Sequence, residues 1–184
     1  MTWYSLEPKA ATRDLWVAID GPTKPEYGVW WSSSGQDITE VLGADGPPAI
    51  TDVEWYFRPM REHYGKRLPD ALWQYGRGLK VYSERLCEVM QTHGAGLQTW
   101  PADVRHRDGT PVPGYLAVLE EVEAVAPVHS HLRHRRSGRV VVDATVKEAV
   151  VRAGLIGLEI EEVAGPFPAG DFRHHARRRA APGS

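Results

Sequence analysis

The clearest alternation of apolar and polar residues lies in the second half of the chain. Residues 79–82 form a short apolar run typical of a strand, and Ser83 after it is a favoured helix N-cap. The predicted helix carries an apolar stripe at helical spacing, formed by Leu86, Val89 and Met90. Gly94 is a natural helix end, and residues 96–101 predict an edge or bulged strand because they finish in proline.

A second unit of the same kind covers residues 139–163. An apolar strand over 139–142 is followed by Asp143, another favoured N-cap. The helical stripe consists of Val146, Ala149, Val150 and Ala153. Gly154 ends this helix at the same distance from its cap as Gly94, and residues 157–163 alternate like a half-buried strand. The similarity between the two segments indicates either a weak internal repeat or only the pattern that any strand–helix–strand unit of this length shows.

The segment between the two units predicts further strands. Residues 115–119 and 122–125 are apolar enough for one long strand or a bulged pair. Asp108 and Gly109 form a typical hairpin turn. The run that begins at His106 superficially resembles a kinase catalytic loop, but the chain contains no Gly-rich phosphate loop to accompany it.

The N-terminal part has a weaker pattern. Apolar runs over 15–19, 29–31 and 53–59 are candidate strands, the last with Pro59 at its limit. Prolines are frequent here, so we expect short helices and strands that pack against the rest of the domain through buried aromatic rings. The sequence therefore predicts an irregular Trp- and Pro-rich part over residues 1–68.

Together these elements predict an α+β or mixed α/β fold in a single domain over residues 1–165. We expect a mixed sheet with helices packed on it, two strand–helix–strand units in the C-terminal half, and a family-like core over 79–163. Residues 166–184 consist largely of Pro, Gly, Ala, His and Arg, which predicts a disordered tail.

Composition narrows the function classes. The chain has 184 residues, 42% of them hydrophobic, and a formal net charge of −2, so nothing in the total calls for a polyanionic or membrane partner. One cysteine excludes an intrachain disulfide and suits a reducing compartment, so we expect a cytoplasmic location. We expect neither a signal peptide nor a membrane span, because no apolar run is long enough.

Residues 129–136 hold the densest group of candidate ligands. His129, His131 and His134 could converge on a metal, although the neighbouring arginines place positive charge beside any cation. A solvated loop is one alternative, and recognition of an anion or an acidic partner surface is another. Nucleic-acid binding is disfavoured because no aromatic residue is interleaved with the run.

The sequence offers no catalytic constellation. It contains no nucleophile elbow, and Cys87 lies in a helical stripe where a buried, inert thiol is expected. We therefore predict a protein without catalytic residues, cofactor or metal. The alternative is a small-ligand or metal-dependent enzyme or module that uses the His-rich loop 129–134 together with His106 and Asp108.

The order of elements over residues 79–163 resembles an immunity-protein family of bacterial polymorphic and contact-dependent toxin systems. The matching residues are Val81-Tyr82-Ser83, Leu86, Gly94, Trp100-Pro101, Tyr115, Ala153-Gly154-Leu155-Ile156-Gly157-Leu158 and Glu161-Glu162-Val163. The family often has an Asp and a Ser near the middle of this pattern, whereas this chain keeps only Ser130 there. The arginine-rich loop then replaces a longer segment.

The resemblance implies a small cytoplasmic bacterial binding protein that neutralises a cognate toxin, the product of a neighbouring gene, by covering its active surface. It transfers no contact residue, because binding faces in such families vary with the toxin. Tryptophan and arginine often dominate interface energies, so the partner-binding candidates are Trp30, Trp31, Trp55, Arg133, Arg135 and Arg136. The competing interpretation places the tryptophans in the core. Oligomeric state stays open.

Overall fold

The computed structural model describes residues 2–21, 30–74, 79–120, 128–132 and 138–163. Within these ranges an α+β chain forms a single domain with two sheets and three helices. The strands are β1 (Trp3–Pro8), β2 (Leu15–Asp20), β3 (Tyr56–Tyr64), β4 (Ala71–Gln74), β5 (Lys80–Ser83), β6 (Leu97–Pro101), β7 (Tyr115–Glu120), β8 (Val128–Leu132), β9 (Gly138–Asp143) and β10 (Leu158–Val163). The helices are α1 (Ile38–Asp45), α2 (Glu84–Thr92) and α3 (Ala144–Arg152).

The larger sheet has six strands in the order β3-β2-β4-β5-β7-β6. It is mixed, because β2 and β4 pair in parallel while all other neighbours are antiparallel. β6 lies at one edge, as its proline predicted. The other edge is β3, which continues through Pro59 to Tyr64. The predicted limit at Pro59 is wrong because an edge strand tolerates a residue without an N–H.

The smaller sheet has four antiparallel strands in the order β10-β1-β9-β8. Its inner strand β1 comes from the start of the chain and pairs with two strands from the other end. Ser5, for example, lies opposite both Val141 and Glu161. The sequence did not predict β1, because its pairing partners lie more than a hundred residues away.

The two strand–helix–strand units have the same topology. In each, an antiparallel strand lies between the two parallel ones: β7 between β5 and β6, and β1 between β9 and β10. The predicted N-caps are confirmed: the Leu86 amide donates to Ser83 Oγ at 3.1 Å, and the Val146 amide donates to Asp143 Oδ1 at 2.9 Å. The similarity in sequence therefore corresponds to a repeated arrangement in space.

Both faces of the six-stranded sheet carry buried apolar residues. Neighbouring residues on one strand, such as Ala71 and Leu72, belong to different apolar clusters, because successive side chains point to opposite faces. One cluster packs α2 and α3 against both sheets, and its members include Leu6, Tyr82, Leu86, Met90, Val142, Val146 and Val150. The other lies beneath α1, and its members include Val17, Trp30, Ile38, Leu42, Phe57 and Val81.

A buried carboxylate joins the two units. Asp70, 5% exposed, accepts hydrogen bonds from Ser83 Oγ at 2.6 Å and from the Ile156 amide at 2.7 Å. The Asp70 amide in turn donates to the Ile156 carbonyl at 2.8 Å. The loop after α3 is therefore fixed to the beginning of α2.

Some predicted elements differ from the structure or lie outside its described residues. In the predicted strand over 29–31, Trp31 makes only an isolated bridge with Asp37, and residue 29 is not among the described residues. The possible strand over 122–125 and the tail over 166–184 also lie outside them. No helix in the described ranges has the length and apolar character required to cross a membrane.

Candidate functional site

A small cleft lies where the end of β2, the loop before α1 and the segment before β3 meet. The residues that line it include all three tryptophans predicted to bind a partner, Trp30, Trp31 and Trp55, together with Asp20 and Glu54. The cavity volume is about 10 Å³, roughly the room of one water molecule. The cleft therefore suits contact with a partner's side chain better than enclosure of a small ligand.

The three tryptophans have different roles in this cleft. Trp30 is 8% exposed and belongs to the core beneath α1, so the prediction of an exposed ring is wrong for it. Trp31, its neighbour, is 45% exposed. Trp55 is half-buried and meets Phe57 edge to face, with ring centroids 5.8 Å apart. Of the three, only Trp31 is largely exposed.

The loop that carries Trp31 is held by its own hydrogen bonds. The Ser32 amide donates to the Gln36 carbonyl at 2.9 Å, and the Gln36 amide donates back to Ser32 Oγ at 3.0 Å. Asp37 then caps α1 by accepting from the Thr39 amide at 2.9 Å. Trp31 therefore projects from a loop with a fixed shape.

A second set of hydrogen bonds ties this loop to the opposite wall. The Ser33 amide donates to Asp52 Oδ2 at 2.8 Å. Hydrogen bonding from Ser33, chiefly through its side chain, lowers the pKa of Asp52 below its ordinary value. Because the carboxylate accepts these bonds only weakly once protonated, the tie is strongest above that pKa.

Arg105 forms a charged group beside the cleft. Its guanidinium donates to Asp103 at 2.6 Å and to Glu54 at 3.0 Å, and lies 4.0 Å from the centroid of the Tyr56 ring. The hydrogen bonds from Arg105 to Asp103, and then to Glu54, raise the pKa of Arg105. A cation between an aromatic face and carboxylates is thus already part of the protein's own structure.

Carboxylates outnumber cations around the cleft. Asp20 forms an ion pair with Arg58, and Glu54 shares Arg105 with Asp103. With Asp52 included, four described carboxylates face two described guanidinium groups in this neighbourhood. Among the described residues, the cleft and its rim therefore have a negative balance of charge.

The other predicted site residues, those of the run 129–136, lie in strand β8 or outside the described residues. Arg133, Arg135, Arg136 and His134 lie outside the described residues. His129 and His131 belong to strand β8, which pairs with β9. No group of three or more potential metal-ligating His, Cys, Asp or Glu side chains occurs within the described ranges.

Two further predictions can be compared with the structure. The hairpin at Asp108 is confirmed: the His106 amide donates to the Thr110 carbonyl at 2.7 Å, and Asp108 accepts from the Thr110 amide at 2.9 Å. Asp108 thus acts in a turn, and this bonding lowers its pKa, first through the Thr110 side chain. Cys87 is 1% exposed on α2, as expected for a core residue.

Sequence reasoning missed the charged residues of the cleft. Glu54 and Arg105 lie 51 positions apart and meet only because Phe57 pairs with the segment 103–105. The available signal was the spacing of Glu54 and Tyr56, two of the residues that Arg105 contacts. They lie two positions apart, the spacing at which side chains share one face of an extended segment.

The sequence matches no protein-family model, and no curated protein is similar to it.

Proposed function

We propose that the protein is a non-catalytic binding protein of the bacterial cytoplasm that neutralises a cognate toxin. The observation that carries this proposal is the exposure of Trp31, which is 45% exposed beside the cleft. Large aromatic residues at the centre of interfaces contribute most of the binding energy in many complexes.

The fixed shape of the cleft supports binding to a protein surface. The hydrogen bonds within the loop over 31–37, and the one from Ser33 to Asp52, order this surface before a partner arrives. Less conformational entropy is then lost on association, and more of the contact energy is retained as affinity.

The choice of a toxin rests on the resemblance of residues 79–163 to immunity proteins. Such proteins act by covering the active surface of their toxin, which requires a stable complex and no chemistry by the inhibitor. Their partner is typically encoded beside them. We therefore propose the product of the adjacent gene as the partner.

The negative cleft also supports a basic partner surface. Complementary charge accelerates encounter between proteins and disfavours partners of the wrong sign. Fast association matters for an inhibitor that must capture a toxin before it acts on the cell.

The test is co-expression with the protein encoded by the adjacent gene. We expect cells to survive only when both proteins are present, and a one-to-one complex to elute from a sizing column. Trp31→Ala should weaken that complex by a factor of about ten or more, as truncation of an interface tryptophan does.

Leu68→Ala is the matched control. Leu68 is 41% exposed, close to Trp31 in exposure, and does not line the cleft. The control variant should bind like the unmodified protein. Killing that persists on co-expression, with no complex on the column, would refute the proposed function.

A further inference from the structure

We infer that the cleft beside Trp31 and Trp55 is a receptor for an arginine side chain of the partner protein. The inference rests on the proposed function and specifies the chemistry of the contact. The guanidinium would stack on the exposed Trp31 side chain and donate hydrogen bonds to Glu54.

The aromatic component of this receptor is already exposed. Trp31 and Trp55 both line the cleft, and Trp31 is 45% exposed. Indole is the side chain that attracts cations most strongly through its ring face. A planar guanidinium can stack on such a face without entering a pocket, which suits a cleft with room for only about one water molecule.

The carboxylate of Glu54, the anionic component of this receptor, can accept further hydrogen bonds. The Glu54 side chain is 62% exposed, and Oε1 accepts one hydrogen bond from Arg105 at 3.0 Å. A carboxylate offers about four acceptor sites, so Glu54 can accept from a second guanidinium. The Asp20 carboxylate has fewer acceptor sites left, because it already accepts a hydrogen bond from the Gly21 amide at 2.9 Å and forms an ion pair with Arg58.

Arg105 provides an internal example of the same contact. Its guanidinium lies 4.0 Å from the Tyr56 ring centroid and bonds to carboxylates on either side. Tyr56 directly follows Trp55 in the chain. The partner's arginine would repeat this arrangement on the neighbouring rings and share Glu54 with Arg105.

Other occupants fit the cleft less well. An acidic side chain would meet an excess of carboxylates, since Asp20, Asp52 and Glu54 all lie nearby. An apolar side chain would cover Glu54 and remove water from its carboxylate without replacing the lost hydrogen bonds. A cation satisfies both the rings and the carboxylate.

The test uses two tripeptides that differ in a single group. Acetyl-Gly-Arg-Gly-amide carries the guanidinium, and acetyl-Gly-citrulline-Gly-amide has nearly the same shape without the charge. Binding to the full chain is followed through the indole N–H signals in ¹H–¹⁵N NMR spectra, with that of Trp31 identified in a Trp31→Phe variant. We expect the arginine peptide to shift the Trp31 and Trp55 signals and the citrulline peptide to bind at least about fivefold more weakly.

Two charge-neutralising variants make the test specific. Glu54→Gln should weaken binding of the arginine peptide about fivefold, because a charge-assisted hydrogen bond becomes a neutral one. Glu88→Gln, on an exposed position of α2, should leave binding unchanged. Equal binding of the two peptides, or signal changes confined to tryptophans outside the cleft, would overturn the inference.

The outcomes separate this inference from the proposed function. A stable toxin complex that Glu54→Gln does not weaken, together with no preference for the arginine peptide, would refute the arginine site alone. Charge-selective binding of the peptide by a chain that gives cells no protection would refute toxin neutralisation and leave the arginine site supported.

Discussion

The hydroxyl of Ser83 donates a hydrogen bond to the carboxylate of Asp70 while accepting one from the amide of Leu86. One side chain thus begins α2 and connects it to a buried carboxylate. Asp70 bonds in addition to the Ile156 amide, so the two strand–helix–strand units share a single polar junction.

Asp70→Asn should destabilise the protein by about 2–3 kcal/mol. The substitution replaces an acceptor by an amide group facing the Ser83 hydroxyl or the Ile156 amide, and hydrogen bonds to charged groups in buried positions contribute at this level. The free energy of unfolding in urea measures the effect. Asp45→Asn, at an exposed carboxylate, should change it by no more than about 0.5 kcal/mol. Equal effects of both substitutions would show that the junction does not stabilise the fold.

Gly157→Ala should be more destabilising than Gly154→Ala. Both glycines have positive φ, 75° and 65°, so each alanine incurs roughly 1–2 kcal/mol of backbone strain. A Cβ at Gly157 would also lie 2.1 Å from Pro69 Cβ, whereas nothing lies within 4 Å of one at Gly154. We expect overpacking to add about 1–3 kcal/mol at Gly157. Similar unfolding midpoints for the two variants would contradict the close approach to Pro69.

Trp30→Ala and Trp31→Ala should differ sharply in stability although the residues are adjacent. Trp30 is 8% exposed in the core beneath α1, so its truncation should cost about 3–5 kcal/mol. Trp31 is 45% exposed, and its truncation should cost about 1 kcal/mol or less. Thermal and urea unfolding of both variants provide the comparison. A large loss of stability in Trp31→Ala would assign that ring to the core.

Alkaline pH should destabilise the protein through Tyr115. Its hydroxyl donates to the Pro69 carbonyl at 2.7 Å, and burial, followed by the charges of Asp70 and Asp14, raises its pKa above the ordinary value of 10.0. The folded state keeps the phenol neutral while the unfolded chain ionises it. The contribution of Tyr115 to the free energy of unfolding is therefore fully present below pH 10.0 and decreases as the pH rises beyond that value.

Tyr115→Phe isolates this contribution. The variant should be less stable by about 1 kcal/mol at neutral pH, because the Pro69 carbonyl loses its donor. Its free energy of unfolding should then decrease less steeply above pH 10.0 than that of the unmodified protein. Parallel pH profiles for the two proteins would rule out Tyr115 as the cause.

Local chemistry made the C-terminal half predictable. The caps at Ser83 and Asp143 act on amides three residues ahead, and the turn at Asp108 closes over five residues. Such features are present in short stretches of sequence. The helices and strands that they delimit could therefore be predicted without knowledge of the tertiary fold.

The structure of the N-terminal half and of the cleft could not be predicted in this way, because both are formed by contacts between residues distant in sequence. The strand β1 has no strong alternation of its own and is defined by pairing with β9 and β10. Trp31, Glu54 and Arg105 come from separate segments, and their proximity follows from the tertiary fold. The exposure of Trp31 beside the buried Trp30 likewise depends on where the loop over 31–37 is fixed.

The position of β1 also constrains the order of assembly during synthesis. This strand precedes the other described strands in the chain, but both of its neighbours in the sheet lie beyond residue 137. Strands β2–β7 can pair while the chain is still being translated, whereas β1 must wait until β9 and β10 have been synthesised. Because distant pairings form slowly, we expect joining of the first and last strands to be the final step of folding.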